Sequence, residues 1–313
     1  MNSERRAVID VGTNSVKLLV ADVTGAQVAP VREEGRQTRL GRGFYETRRL
    51  QPGPIQETAE AVAAFAAKAK SEGAVKLLAF ATSAARDAEN AAELLAAVRS
   101  AAGLELQVIH GEQEARWAFA GVSTHPALAR LPMLLLDTGG GSSEFIVGSG
   151  GQSHFRRSYP LGAVRLAETL AHSEPPMAGD LARCRAHLRE FLRREVVPAV
   201  QPALASEAEG ASLVATGGTA SVLAMMHQEL PHFDRERIEA LTLSAAQVSD
   251  WTARLWSLPL AARRQIVGLP PERADIILFG VAILEAIMET FGLSPLRIST
   301  RGLRFGAILE LGT

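Results

Sequence analysis

Three short segments combine glycine with hydroxyl side chains, the residue types that wrap around phosphate groups. They are Gly12-Thr13-Asn14-Ser15, Gly139-Gly140-Gly141-Ser142-Ser143 and Thr216-Gly217-Gly218-Thr219. Glycine lets successive backbone N–H groups converge on one anion, and the third segment also opens a predicted helix whose N-terminus attracts phosphate. One such segment is usually a tight turn, but three favour phosphate binding. None has the Gly-Lys-Ser/Thr ending of a Walker loop or the spaced glycines of a dinucleotide fold.

The first two segments belong to an internal repeat. Superimposing Asp10 on Asp137 also places Gly12 on Gly139, Ser15 on Ser142, and the apolar run 18–20 on 145–147. In both places a short apolar strand leads through a glycine turn into a second apolar strand. The repeat predicts a duplicated unit and therefore two domains, 1–124 and 125–313, with the last helix (about 303–313) free to pack back on the first.

Strands followed by helices in both halves predict the α/β class. Alanine-rich helical spacing covers 55–72, and further helices are predicted at 88–102, 112–122, 219–229, 274–291 and 303–311. A helix over 179–197 is expected to stop at Pro198. Beyond the two hairpins, strands are predicted at 76–81, 106–109, 213–215 and 296–299.

Composition sets limits on partners. The 313 residues carry 33 Lys and Arg against 34 Asp and Glu, so the net charge of −1 argues against a nucleic-acid-binding protein. The single cysteine excludes a disulfide scaffold. No apolar run reaches the ~20 residues of a membrane span, and the N-terminus lacks the features of a signal peptide, so we expect a cytoplasmic protein. A homodimer is one assembly that the sequence leaves open.

The motifs together are specific. The two aspartate-glycine segments resemble those of the exopolyphosphatase/guanosine pentaphosphatase (Ppx/GppA) family. Further stretches match the family's motifs in the same order along the whole chain: 81–87, 111–116, 160–165, 216–219 and 302–306. The resemblance implies a duplicated actin-like fold of the sugar-kinase/Hsp70 type, with two domains around a cleft. Longer family members carry a C-terminal helical domain without a counterpart here, so we expect distributive rather than processive cleavage.

The resemblance also implies roles for individual residues. Glu114, the second of the family's paired acidic positions, would be the general base that takes a proton from the attacking water. Arg86 would hold a phosphate through its guanidinium group. Asp10, Asp137 and Glu144 would hold Mg²⁺ or another divalent cation, directly or through water. Four of these residues also have an ordinary alternative. Glu114 could be a first-turn glutamate, and Arg86 could form a surface ion pair with Asp87 or Glu89. Asp10 could cap its own loop, and Glu144 could be an outward strand residue.

Three functions remain open at this point. The leading hypothesis is hydrolysis of the terminal phosphate of inorganic polyphosphate, and the close alternative is hydrolysis of guanosine pentaphosphate by the same residues. A non-catalytic regulator that binds guanosine tetraphosphate is less favoured, because Glu114 is retained. A kinase of the same fold needs an acceptor site and usually an aspartate base, and the sequence shows no such signature.

Overall fold

The computed structural model describes residues 3–207 and 210–311. The chain forms two compact units, Met1–Pro126 with Arg301–Thr313 (unit 1) and Ala127–Thr300 (unit 2). Within the described residues, no helix combines the length and apolarity that crossing a bilayer requires. The cleft expected between the two domains stays a prediction.

Unit 1 is built on a mixed five-stranded sheet with the order β3-β2-β1-β4-β5. The first three strands are antiparallel, and β4 and β5 run parallel to β1. The alanine-rich α2 packs on one face and buries Ala59, Val62, Phe65 and Ala69, residues spaced three or four apart as a helix requires. The elements are β1 Glu4–Val11, β2 Ser15–Thr24, β3 Gln27–Gln37, α1 Phe44–Thr47, α2 Pro52–Ser71, β4 Lys76–Ala81, α3 Ser83–Asp87, α4 Ala91–Ala102, β5 Leu106–Val108 and α5 Gly111–Val122.

Unit 2 is built on a six-stranded sheet with the order β10-β11-β9-β6-β7-β8. Its core is dominated by α13, which is buried along most of its length. The elements are β6 Met133–Thr138, β7 Ser143–Ser149, β8 Gln152–Tyr159, α6 Ala163–Thr169, α7 Ala178–Phe191, α8 Val197–Ala205, β9 Ser212–Thr216, α9 Gly217–His227, α10 Arg235–Ala240, β10 Thr242–Leu243, α11 Ala245–Ser257, α12 Leu260–Arg263, α13 Ile277–Phe291 and β11 Leu296–Ile298. The chain then returns to unit 1 for α14 Leu303–Glu310.

The sequence repeat reappears in the strand register. Asp10 lies opposite Lys17 in the β1–β2 hairpin, and Asp137 lies opposite Glu144 in the β6–β7 hairpin. Each hairpin gains a third antiparallel strand, β3 or β8, and a parallel neighbour, β4 or β9, on its other side. The α/β class predicted from the sequence is therefore confirmed, and the duplication extends further than the hairpins.

Helix α14 packs against α5 in unit 1 at unusually short range. A Cβ on Gly306 would collide with the Trp117 carbonyl, and one on Gly121 would collide with the Gly302 carbonyl. Only glycine permits the two backbones to come so close. The contact also buries Phe305 completely. The last helix therefore fixes the position of α5, the helix that carries Glu114.

Two local predictions are wrong. The helix expected to stop at Pro198 continues: α7 passes through a π-helical turn, Leu192–Val196, into α8, and Pro198 lies in the first turn of α8. A proline removes one hydrogen bond from a continuous helix, and here the π-helical turn just before it already interrupts the regular α-helical bonding. Arg86, expected in a loop of small residues, lies in the short helix α3.

Candidate functional site

Glu114 and Arg86 lie together in unit 1. The strands β4 and β5 are parallel neighbours, so the segments that follow them meet at one edge of the sheet. Glu114, in the first turn of α5, is 6% exposed, and its Oε2 accepts a hydrogen bond of 2.9 Å from Arg86 Nη1. The same Nη1 donates to the Ile109 carbonyl at 3.2 Å. Arg86 therefore anchors to the turn before α5 and orients the Glu114 carboxylate, whereas its contact with Asp87 is long, at 3.8 Å.

The glycine turn of unit 1 has its backbone fixed by the segment after β3. The Gly12 amide donates to the Ser15 carbonyl at 3.0 Å, so this amide closes the turn and is not available to a phosphate. The Thr13 and Asn14 carbonyls accept from the Gly41 and Arg39 amides. In a trans peptide the N–H of the next residue points opposite to the C=O. The amides of Asn14 and Ser15 therefore point away from the covering segment.

The glycine turn of unit 2 repeats this construction more completely. The Gly139 amide donates to the Ser142 carbonyl at 2.9 Å, which closes the same turn. The first turn of α6 then covers the loop: the Gly139 carbonyl accepts from the Ala163 amide, and the Gly140 carbonyl accepts from the Val164 and Arg165 amides. Arg165 Nε donates to the Gly141 carbonyl at 2.9 Å.

Three consecutive carbonyls of this loop thus face α6. The three amides that follow them, those of Gly140, Gly141 and Ser142, must point to the opposite side. Converging amides of this kind form a concave site for anions. Gly162 has to be glycine, because a Cβ there would overlap the Gly140 backbone. Ser143, the last residue of the predicted segment, has a different role: its hydroxyl is buried and donates to the Leu161 carbonyl at 2.6 Å.

Asp137 and Glu144 form a pair of buried carboxylates in unit 2. They lie directly opposite each other on β6 and β7, 9% and 1% exposed, on the same face of the sheet. Glu144 Oε1 accepts a hydrogen bond of 2.7 Å from the Ser158 hydroxyl. A Cβ on Gly217 would lie 2.5 Å from Asp137 Oδ1, so the carboxylate rests against the glycine backbone at the start of α9. Two adjacent acidic groups favour a cation.

Asp10, the equivalent aspartate in unit 1, has a different environment. Its Oδ1 is buried and has no hydrogen-bond partner among the residues that the structure describes. Burial raises the pKa of Asp10 above its usual value, and the charges of Lys17 and Arg304 offset this only in part. Arg304, from α14, donates to the Leu18 carbonyl at 2.8 Å. Two cations therefore face Asp10, whereas an acidic residue faces Asp137.

The three predicted metal ligands are divided between the two units, so their grouping into one site stays a prediction. Asp10 belongs to unit 1, and Asp137 and Glu144 belong to unit 2. Across residues 3–207 and 210–311, no group of three or more His, Cys, Asp or Glu side chains is placed to hold a metal ion. Mg²⁺ usually takes one or two carboxylates and completes its shell with water and phosphate oxygens, so the Asp137–Glu144 pair fits such an ion.

The third glycine segment forms the first turn of α9. Gly217 has a φ of +91°, a conformation that glycine adopts without strain, and Thr216 precedes the helix as its N-cap. Thr219 is buried against Gly280 of α13, where a Cβ would lie 2.7 Å from the Thr219 hydroxyl. The helix N-terminus adds amide donors and a positive dipole end to unit 2.

Arg273 lies beside the third glycine segment, and sequence reasoning did not single it out. It ends the 3₁₀ turn Pro271–Arg273, and its guanidinium occupies the place where a Cβ on Gly218 would be. Burial lowers the pKa of Arg273 below its ordinary value, although Glu272 opposes this. Arg273 is partly exposed, and a cation beside a helix N-terminus is well suited to an anion. The only signal in the sequence is the Pro-Pro pair before it, which predicts a turn but no function.

Comparison with known proteins agrees with this geometry. The sequence profile described as the Ppx/GppA phosphatase family matches residues 19–312. The chain belongs to this family. It is 33% identical over 308 residues to exopolyphosphatase 1 of Mycobacterium tuberculosis, covering 98% of this chain and 88% of the relative. It is 31% identical over 323 residues to exopolyphosphatase 2 of the same organism, covering 98% of each.

Solved structures give the same result for the fold. The crystal structure of the Ppx/GppA family member of Aquifex aeolicus matches with a TM-score of 0.79 and 29% identity, over 99% of this chain and 97% of the other. The resemblance to the Ppx/GppA family is therefore confirmed, as is the duplicated actin-like fold that it implied. As a member of this family the chain is an enzyme, a phosphoanhydride hydrolase.

Proposed function

We propose that this enzyme is an exopolyphosphatase that releases orthophosphate from the end of inorganic polyphosphate. The observation that carries the proposal is the loop Gly139–Ser142, whose first three carbonyls are held by α6 while three consecutive amides point the other way. Such a loop recognises phosphate oxygens and has no need of a base or sugar. The curated relatives named exopolyphosphatase support the same substrate.

Phosphate binding is assigned to both units. In unit 2 the amides of Gly140, Gly141 and Ser142, the first turn of α9 and the Arg273 guanidinium would hold phosphate oxygens. In unit 1 the amides of Asn14 and Ser15 would do the same. Gly12 and Gly139 would not bind phosphate through their own amides, because these amides donate to the carbonyls that close the two turns. Phosphate binding by Thr13, Gly217, Gly218 and Thr219 stays a prediction.

A divalent cation such as Mg²⁺ would be held by Asp137 and Glu144, and the direct participation of Asp10 stays a prediction. When bound, the ion neutralises phosphate charge and stabilises the charge that develops on the transferred group. The Ser158 hydroxyl holds one Glu144 oxygen in place. Gly217 leaves room for the Asp137 carboxylate beside the start of α9.

Glu114 would act as the general base. Its Oε2 is held by Arg86 at 2.9 Å, which fixes the orientation of the carboxylate. A water molecule attacks the terminal phosphorus, and its proton passes to the Glu114 carboxylate as the new P–O bond forms. The bond between that phosphorus and the bridging oxygen breaks, and the shortened chain leaves with the electron pair.

The test is orthophosphate release measured in parallel from polyphosphate, guanosine pentaphosphate and ATP, each with Mg²⁺ and with a chelator. We expect polyphosphate to give the highest kcat/KM and activity to depend on the divalent ion. A higher kcat/KM for guanosine pentaphosphate would replace the proposed substrate by the close alternative, with the same residues. Binding of guanosine tetraphosphate without hydrolysis of any of the three would instead indicate a regulator.

A further inference from the structure

The segment that joins α12 to α13 runs along α9. We call residues 264–275 the strap. Near its start, Gly268 has a φ of +86°, and a Cβ there would collide with the Met225 backbone in the second half of α9. Near its end, the Arg273 guanidinium lies on Gly218 in the first turn of the same helix. The strap therefore follows α9 back to its N-terminus and delivers Arg273 there.

A buried arginine holds the two ends of the strap together. Arg263, the residue just before it, is 2% exposed. Its Nε donates to the Ala274 carbonyl at 2.8 Å and its Nη1 donates to the Leu258 carbonyl at 2.7 Å. Its Nη2 donates to Glu174 Oε2 at 2.6 Å. Glu174 Oε1 in turn accepts from the Leu260 amide at 2.6 Å.

This arrangement bears directly on Arg273. Ala274 is the next residue in the chain, so the bond from Arg263 fixes the peptide between Ala274 and Asp275, one residue beyond Arg273. On the other side, the Arg273 amide donates to the Pro270 carbonyl at 2.8 Å. A guanidinium keeps a buried position only when its donors are satisfied, so loss of the Glu174 charge should disturb Arg263 and, through it, the strap.

We propose that Arg263 and Glu174 are positioning residues, which hold Arg273 over the first turn of α9 so that it can contact substrate phosphate. The inference rests on the proposed function, in which Arg273 is a phosphate ligand. Neither Arg263 nor Glu174 touches substrate. Both act on substrate binding only through the Arg273 side chain. Their mutation should therefore have little effect on substrate binding once Arg273 has been replaced.

The experiment is a double-mutant cycle on orthophosphate release from a polyphosphate of fixed length, with Mg²⁺ present. The variants are Glu174→Gln, Arg273→Gln and both together. Glu174 is the better target, because its side chain is 41% exposed and its replacement by glutamine retains an acceptor for the Leu260 amide. Arg263→Lys is the second target, and the lysine retains a charge but cannot make all three of the contacts described.

We expect Glu174→Gln to raise KM by about threefold to tenfold with a smaller change in kcat, and to have little further effect once Arg273 is glutamine. Additive effects would overturn the inference and leave the role of Arg273 standing. An unchanged KM in Arg273→Gln alone would overturn both the inference and the assignment of Arg273 as a phosphate ligand.

The matched control is another buried ion pair in unit 2. Arg185 Nε and Nη2 donate to the two oxygens of Glu285 at 2.9 and 2.6 Å, and Glu285 is 2% exposed. We expect Glu285→Gln to lower the melting temperature while leaving KM unchanged. If it raises KM as Glu174→Gln does, the effect of Glu174→Gln is a general loss of packing and the positioning role is wrong.

Discussion

The two glycine hairpins share a backbone and differ in charge. Both turns are closed by the same amide-to-carbonyl bond, 3.0 Å in unit 1 and 2.9 Å in unit 2. The residue opposite the aspartate is Lys17 in one and Glu144 in the other. Since the fold is duplicated, these are equivalent positions, and the difference lies in side-chain chemistry alone. In unit 1 a basic residue lies opposite the aspartate, whereas in unit 2 a second carboxylate does, and this carboxylate pair is the one proposed above to hold a divalent cation.

Unit 1 carries the proposed general base and unit 2 the proposed metal site, and the largest expected effect tests proton transfer in unit 1. We expect Glu114→Gln to lower kcat by about 100-fold or more, because the amide cannot accept the proton of the attacking water. Steady-state phosphate release measures it. Glu112→Gln is the matched control: it removes an exposed carboxylate from the same first helical turn. An equal loss in both variants would mean that Glu114 acts only on the helix dipole.

The next effect compares the two equivalent positions directly. We expect Glu144→Gln to raise the Mg²⁺ concentration for half-maximal activity by about tenfold or more, because half of the carboxylate pair is lost. Lys17→Gln should leave that concentration nearly unchanged. Titration calorimetry with Mg²⁺ gives the same comparison without turnover. Equal sensitivity in the two variants would end the assignment of the metal to unit 2.

The third effect is a pH dependence that belongs to unit 1. Because burial raises the pKa of Asp10, the folded protein binds this proton more tightly than the unfolded chain does. This tighter proton binding stabilises the folded protein fully in acid, and the stabilisation is lost as pH rises through the raised pKa of Asp10. We therefore expect Asp10→Asn to be more stable than the wild type at neutral pH, with the difference disappearing in acid. Denaturant unfolding from pH 4 to 8, with a chelator present, measures it.

Asp22 supplies the opposite case on the same pair of strands. Its hydrogen-bonded ion pair with Arg5 lowers the pKa of Asp22 below its usual value. The ion pair stabilises the folded protein at pH values above the pKa of an unfolded aspartate, and this stabilisation is lost as pH falls through the lowered pKa of Asp22. Asp22→Asn should therefore lower stability at neutral pH, with the loss shrinking in acid. If the two variants shift in the same direction, the assigned burial of Asp10 is wrong.

The smallest effect tests whether the two turns are truly alike. A Cβ on Gly12 would lie 3.2 Å from the Ser15 carbonyl, and one on Gly139 would lie 3.3 Å from the Ser142 carbonyl. We expect Gly12→Ala and Gly139→Ala each to cost about 1 kcal/mol or less in the free energy of unfolding, and to differ by less than about 0.5 kcal/mol. Chemical denaturation is accurate enough to show a larger difference, which would contradict the duplicated backbone.

Sequence reasoning identified the parts of this molecule that local pattern determines. The glycine turns, the two aspartates and the buried strands β4, β6 and β9 follow from short runs of residue types. It missed β3 and β8, because edge strands with one exposed face carry polar sequences such as Arg156-Arg157 and lack a continuous apolar run. It also missed the helices α6 and α11, although a glycine precedes the first and a proline follows the second.

Sequence reasoning did not predict the contacts between residues that are far apart in the chain. Arg86 reaches Glu114 across 28 positions, and Arg263 reaches Glu174 across 89. Such pairs are decided by which strands become neighbours and by how the connections cross them, and no local pattern encodes that. Arg273 was missed for the same reason, since only the folded strap brings it to Gly218.

The return of α14 to unit 1 has a consequence for how the chain is made. Unit 2 is one continuous stretch of sequence, whereas unit 1 is interrupted by it and completed only by residues after 300. During synthesis, all of unit 2 therefore leaves the ribosome before α14 is available to pack against α5. Until then the hydrophobic cluster that receives Phe305, which includes Trp117, is incomplete. Because domains fold as units during synthesis, unit 2 should reach its final state before unit 1, although unit 1 begins earlier in the sequence. The helix α5, which carries Glu114, should be among the last parts to become protected from hydrogen exchange.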